Sequence, residues 1–246
     1  MQLVLWHKQK LSSLITLCMV VVVVLVCVRL GFWQLERGEQ KQQQLTAIVK
    51  QQTHGVMSWS QLLNLPDSWN KTGVLVELKG QFVQNQYWLL DNQVYNGQVG
   101  YDLLALLKPD SEEKVILVNL GWVKAPISRG TLPKVALPTG VFILKAQIKE
   151  NNLSSFTLED KTTNNDLPTR IQSIDLNMLS TQSQQSLINF MAYRQGTGDE
   201  IATPHYEAVV MSPQKHNAYA LQWFLIAVAC AVVAIFASKK RTHNEK

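Results

Sequence analysis

His216-Asn217-Ala218-Tyr219-Ala220-Leu221-Gln222-Trp223-Phe224 opens a run that continues to Ser238 without one Asp, Glu, Lys or Arg. As a helix the run covers roughly 34 Å, at about 1.5 Å per residue, enough to cross the apolar core of a bilayer. On that helix His216, Tyr219 and Trp223 stand at i, i+3 and i+7, one face. Tyr and Trp gather at membrane boundaries because each ring has an apolar body and a polar tip, so an interfacial belt accounts for the block. A neutral imidazole there also presents a lone-pair nitrogen suited to a metal or to haem iron. Spacing alone leaves both readings open.

A second apolar run lies at the other end of the chain. Leu11 to Val28 carries no charge, includes Val20 to Val24, and is flanked by Lys10 and Arg29. Its helical length, roughly 27 Å, just spans a bilayer. A cleaved signal peptide is the competing reading, but Leu25-Val26-Cys27-Val28 offers no small-x-small cleavage site, and bulky Val26 disfavours lipid attachment at Cys27. The chain beyond it, from Leu30 through Trp33 and Arg37 to the Gln cluster Gln40 to Gln44, continues with one modest apolar edge of Leu35, Leu45, Ile48 and Val49. It reads as a helix prolonged out of the bilayer, with a solvated stalk carrying an interface Trp as the alternative that periodicity alone favours.

The net charge of +5 resides at the ends. Between Gly31 and Lys215 there are 16 Lys and Arg against 17 Asp and Glu, so the central region has no basic stripe and no footprint for nucleic acid. Lys8 and Lys10 before the first run, and Lys239, Lys240 and Arg241 after the second, place both termini in the cytoplasm by the positive-inside tendency. All three cysteines, Cys18, Cys27 and Cys230, lie in the apolar runs, so the exported region depends on its own core without disulfides.

That region reads as short strands. Val74 to Val83, Tyr87 to Leu90, Tyr101 to Leu107, Val115 to Val123, Val141 to Ile148 and Tyr206 to Met211 are candidates, with Asn96-Gly97 as a hairpin turn and Val115 to Val123 as a buried central strand. A helix capped by Asp175, with Leu176, Leu179, Leu187 and Phe190 as its apolar positions, is expected before the last strand. The fold class is an α+β membrane protein: two transmembrane helices flank a mainly antiparallel small sheet or barrel with a minor helix. The expected divisions are a cytoplasmic start at 1–10, a transmembrane helix at 11–30, a juxtamembrane helix at 31–53, an extracytoplasmic β-rich domain at 54–215, a second transmembrane helix at 216–238 and a cytoplasmic tail at 239–246.

Catalytic patterns are sparse. His54, His205 and His216 fall in no His-x-x-x-His or Cys-x-x-Cys arrangement, and neither a Gly-x-Ser-x-Gly elbow nor a P-loop occurs. Glu159-Asp160 reads as a solvated pair in a polar stretch, and Tyr193-Arg194 with Arg170 as groups able to grip an anion, although surface arginine is the commoner outcome.

Three blocks in order, Leu30-Gly31-Phe32-Trp33-Gln34-Leu35-Glu36-Arg37, Val115-Ile116-Leu117-Val118-Asn119-Leu120-Gly121-Trp122-Val123 and the opening block at His216, resemble the surfeit locus protein 1 family in a chain anchored at both ends. The resemblance implies a non-enzymatic assembly factor for haem-copper cytochrome c oxidase. Such a factor binds haem a transiently near the outer membrane face and helps place it in the catalytic subunit, working with other factors such as haem a synthase. It also implies His216 as an axial iron ligand, with Trp33, Arg37, Tyr219 and Trp223 at matching signature positions beside the cofactor. Two departures stand out. Leu120 replaces the family's usual Arg before Gly-Trp-Val, which bears on a propionate or partner contact, and Gln214-Lys215 replaces the polar pair before the histidine. A scaffold that binds oxidase subunits through its exported sheet, without haem, is the alternative. A tethered periplasmic enzyme would need a nucleophile or acid/base set that the sequence does not display. The expected location is a bacterial plasma (inner) membrane, multi-pass, with the central domain periplasmic, since the start lacks the Arg- and Ser-rich leader of an imported mitochondrial protein.

Overall fold

The computed structural model describes residues 2–110, 112–128, 130–150, 153, 167–197, 201–209 and 211–244, with backbone alone for 2–13 and 239–244. Glu159 and Asp160 lie outside the described residues. In chain order the elements are α1 (Gln2–Gln52), β1 (Val56–Ser58), α2 (Trp59–Leu63), β2 (Leu75–Tyr95), β3 (Gln98–Pro109), β4 (Val115–Lys124), β5 (Val141–Lys149), β6 (Thr169–Ile171), α3 (Leu176–Ser183), β7 (Leu187–Arg194) and α4 (Pro213–Asn244). They form two compact units, one of Met1–Thr46 with Val209–Lys246, the other of Ala47–Ala208.

The first unit is an antiparallel helix pair. Its two helices are long and apolar enough to cross a bilayer. In α1 the shielded positions Val20, Val24, Cys27, Gly31, Gln34, Gly38, Lys41 and Leu45 recur at alternating steps of four and three. In α4 the shielded positions Pro213, His216, Ala220, Trp223, Ala227, Cys230 and Ala234 do the same. That heptad spacing keeps one seam facing a partner along the whole contact. Small residues on the seam let the backbones approach, as expected where lipid supplies no hydrophobic drive between helices. A methyl group on Gly31 would lie 2.5 Å from the Phe224 ring, and one on Gly38 would lie 2.8 Å from Asn217 Oδ1. Gly in a helix interior costs roughly 1 kcal/mol against Ala, offset here by that approach. Leu17, Leu25 and Val26 of α1 and Leu221, Leu225 and Val228 of α4 turn outward, an apolar belt matched to acyl chains.

The second unit is a closed barrel. β2, β3, β4, β7 and β5 follow one another, and β5 pairs back onto β2. Within this ring only β4 and β7 run parallel, while the short β1 and β6 add parallel pairings to β2. The candidate strands at Val74 to Val83 and Tyr87 to Leu90 are two halves of β2, joined across a register shift between Phe82 and Tyr87. Asn96 (φ 47°) and Gly97 (φ 74°) form the left-handed two-residue turn into β3. β4 is buried from Val115 to Gly121, as its unbroken apolar run predicts.

Side chains alternate across the barrel wall. Leu103, Ala105, Leu107, Ile116, Val118, Leu120, Phe190 and Ala192 fill the interior. Leu104, Leu106, Leu117 and Met191 face outward beneath Ile174 and Leu179. Leu120, where the resemblance leads one to expect Arg, is fully buried in the interior core and presents nothing to the surface.

Two expectations need correction. The helix capped by Asp175, whose carboxylate accepts from the backbone N–H groups of Asn177 and Met178, ends at Ser183, and Gln184 turns left-handed (φ 55°). Leu187 and Phe190 belong to β7, because beyond Gln184 the apolar residues alternate with period two into the barrel. Tyr206 to Met211 forms no strand over its described residues, Val210 lying outside them. Thr203 alone bridges to Trp122, and Pro204, lacking an N–H, stops the ladder there. Three short elements went unanticipated: β1, β6 and α2, the last closed by a Ser58–Gln61 capping box.

Candidate functional site

His216 lies on the seam of the helix pair, 9% exposed. Its Nδ1 is 2.8 Å from Gln34 Oε1 of α1. With the amide oxygen accepting, Nδ1 carries the proton and Nε2 keeps the lone pair, so the second helix fixes both tautomer and ring orientation. Among the described residues Nε2 makes no hydrogen bond. Gly38 packs against His216 Cβ and the Pro213 carbonyl, where a methyl group would sit 3.4 Å from each.

The other expected site residues separate into two environments. Trp223 shares the seam with His216, half-buried, whereas Tyr219 points away from it at 44% exposure. Trp33 is 41% exposed. The Arg37 guanidinium lies over the Trp33 ring at 5.6 Å, and its Nη1 donates to Gln40 Oε1 at 2.9 Å. Phe32 and Phe224 meet in a T-shaped contact at 5.4 Å, an aromatic pair across the helices that sequence spacing did not single out. Among the described residues no three His, Cys, Asp or Glu side chains gather to hold a metal ion. One imidazole with a free Nε2 and a fixed Nδ1 nevertheless suits a haem iron, which needs a single protein ligand.

The barrel carries a second polar constellation that sequence reading missed. Asp102 is buried on β3; Asn119 Nδ2 donates to its Oδ2 at 2.7 Å, and His205 Nε2 lies 2.5 Å from its Oδ1. Asn119 Oδ1 accepts from Gly121 N–H at 2.9 Å. That bond braces the register shift at Leu103/Leu104, where Gly121 adopts φ 121° beneath the Thr203 backbone. The Asp102 hydrogen bond raises the His205 pKa against the opposing effect of burial, with the charges of Asp102 and Glu207 adding to the rise. Tyr95 stands against both His205 and Trp122 at 5.8 and 5.6 Å. The only sequence signal was polar Asp102 and Asn119 breaking two apolar strands, each on the face of its outward neighbours.

Of the anion-gripping candidates, Arg170 Nε lies 3.7 Å from Asp91 Oδ2, and Arg194, buried, donates from Nη2 to the Thr197 carbonyl at 3.4 Å. His54 stacks edge-on against Trp69 at 6.1 Å.

No curated protein matches the chain in sequence. The model of the SURF1 family matches residues 21–228, a span that takes in most of the helix pair, His216 and Trp223 included, and the whole barrel. With that match over most of its length, this two-span membrane protein belongs to the SURF1 family, which is associated with cytochrome oxidase assembly.

Proposed function

We propose that the chain is a membrane-anchored assembly factor for haem-copper cytochrome c oxidase, holding haem a transiently at the outer face of a bacterial plasma membrane with His216 Nε2 as iron ligand. The observation that carries this reading is the bond between His216 Nδ1 and Gln34 Oε1. A histidine ligand gains basicity and a fixed orientation when its other nitrogen donates to a neighbour. Bound haem supplies an iron centre that accepts an imidazole nitrogen. Gln34 aims the imidazole, Gly38 lets the helices close around it, and Trp33 and Tyr219 offer exposed aromatic surface to a lipophilic porphyrin. Arg37, held over Trp33, offers a cation to a propionate.

The cationic flanks Lys8, Lys10, Lys239, Lys240 and Arg241 support cytoplasmic termini and a periplasmic barrel. The oxidase catalytic subunit receives the haem in this reading, and haem a synthase is the source-side partner. The test is an absorption spectrum of protein purified from cells that make haem a. A haem a band lost in His216→Ala at equal protein level is the expected result; an unchanged band rejects the ligand role.

A haem-free scaffold for oxidase subunits is favoured by one observation: His216 is nine-tenths buried and ties two helices together, a staple that needs no iron. A wild-type spectrum without any haem band, alongside retained co-purification of oxidase subunits, selects that reading.

A further inference from the structure

β5, β7 and the segment following β7 bring three hydrogen-bond donors together on the outer wall of the barrel. Tyr193 and Tyr206 stack with ring centroids 3.8 Å apart and planes 25° apart. The Lys149 ammonium lies 5.7 and 5.9 Å from the two centroids. Among the described residues Lys149 pairs with no carboxylate, and neither phenol hydroxyl makes a hydrogen bond. Tyr193 is only 8% exposed as a residue, with its hydroxyl at the open edge of the cluster. Burial lowers the Lys149 pKa and raises both phenols, and for Tyr193 the neighbouring Tyr206 and Asp102 add to the rise.

Three convergent donors that reach the surface, one of them a half-buried cation with no counter-charge among the described residues, are disposed to take an acceptor from solution. The nearby carboxylate does not fill the gap, since the two Asp102 oxygens are engaged by Asn119 and His205. What the cluster lacks is an anion with two acceptor oxygens. A single cation beside Asp102 suits a monoanion, because a dianion would meet that carboxylate's charge with only one ammonium to offset it. A cationic ligand is disfavoured, because Lys149 already lies against both rings.

We propose that Lys149, Tyr193 and Tyr206 form a binding site for one carboxylate group, supplied by a small free acid or by the end of a polypeptide chain. This site is independent of the reading of His216.

The test follows acylation of Lys149 by an amine-reactive ester in the full-length, detergent-solubilised protein, read by mass spectrometry at fixed pH and ionic strength. Acetate, acetylglycylglycine, its carboxamide, phosphate and chloride are compared. At saturating carboxylate, Lys149 modification slows about threefold or more relative to chloride, while exposed Lys145 is unaffected. Slowing by acetate assigns a free acid, and slowing by acetylglycylglycine but not acetate or the carboxamide assigns a chain terminus. Tyr193→Phe and Tyr206→Phe, which keep the ring stack, abolish the protection without changing the rate in chloride. No slowing by either carboxylate, equal slowing by phosphate, or protection that survives both Phe substitutions overturns the proposal.

Discussion

His205 and Asp102 are 103 positions apart in sequence and meet at 2.5 Å, joining the segment after β7 to the wall of the barrel. The pairing raises the His205 pKa in the folded protein. A raised pKa means the folded state binds the proton more tightly than the unfolded chain. The stabilisation is therefore complete below the unfolded value, about 6.5, and disappears as pH rises through the folded one. Thermal melts of wild type and His205→Gln should differ most at about pH 5.5 and converge toward about pH 9. A difference that grows with pH would contradict the pairing.

Asn119 is the keystone of the same cluster, donating to Asp102 and accepting from Gly121. Asn119→Ala leaves a buried N–H and a buried carboxylate oxygen each short of a partner. The expected loss is roughly 2–4 kcal/mol in chemical denaturation of the barrel. Asn119→Asp places a second carboxylate beside Asp102, and its loss should exceed that of Ala at neutral pH and shrink on acidification.

Two left-handed positions should respond in opposite ways. At Gly121 a methyl group would sit 2.4 Å from the Thr203 backbone, which cannot rotate aside, so Gly121→Ala should lower stability by about 3 kcal/mol or more. Gln184, exposed at φ 55° after α3, has no such neighbour, and Gln184→Gly should be neutral or stabilising by up to about 1 kcal/mol. Melting temperatures of the two variants decide it.

In the helix pair, Gln34→Leu removes the acceptor for His216 Nδ1 and should cost roughly 1–3 kcal/mol in the detergent-solubilised protein. Gln34→Glu keeps an acceptor and should retain most of that stability. If His216 holds haem, Gln34→Leu also lowers haem retention by about 10-fold or more while Glu restores it, and the two readouts separate stapling from ligand orientation.

The elements that could be read from local pattern were those whose information is local. Two long uncharged runs, the Asn96-Gly97 turn, the solid apolar run of β4 and the Asp175 cap are each complete within a few residues. The long-range pairings were not legible. Nothing near Phe190 announces that it enters a barrel rather than ending a helix, because Leu176, Leu179, Leu187 and Phe190 also fit a loose helical spacing, and only Gln184 turning left-handed divides them. At the candidate site, His216 stood out by its position ahead of an apolar run. Gln34, 182 residues away, did not, since one glutamine in a Gln-rich region carries no signal. Tyr219 shows the limit of spacing arguments: the heptad seam passes through His216, Ala220 and Trp223 and leaves the i+3 position facing outward.

The return of β5 onto β2 has a consequence for how this domain can meet other proteins. Each of the five long strands pairs on both flanks over part of its length, but β5 meets β7 only from Ala146 to Lys149, so Val141 to Leu144 pair with β2 alone and keep one flank open. A visiting chain therefore finds only short open rows, such as the one at the start of β5, on which to lay itself as an added strand, and any longer contact must pass through side chains and loops. The same arrangement leaves neighbouring copies only a short template for sheet-to-sheet aggregation in a crowded membrane.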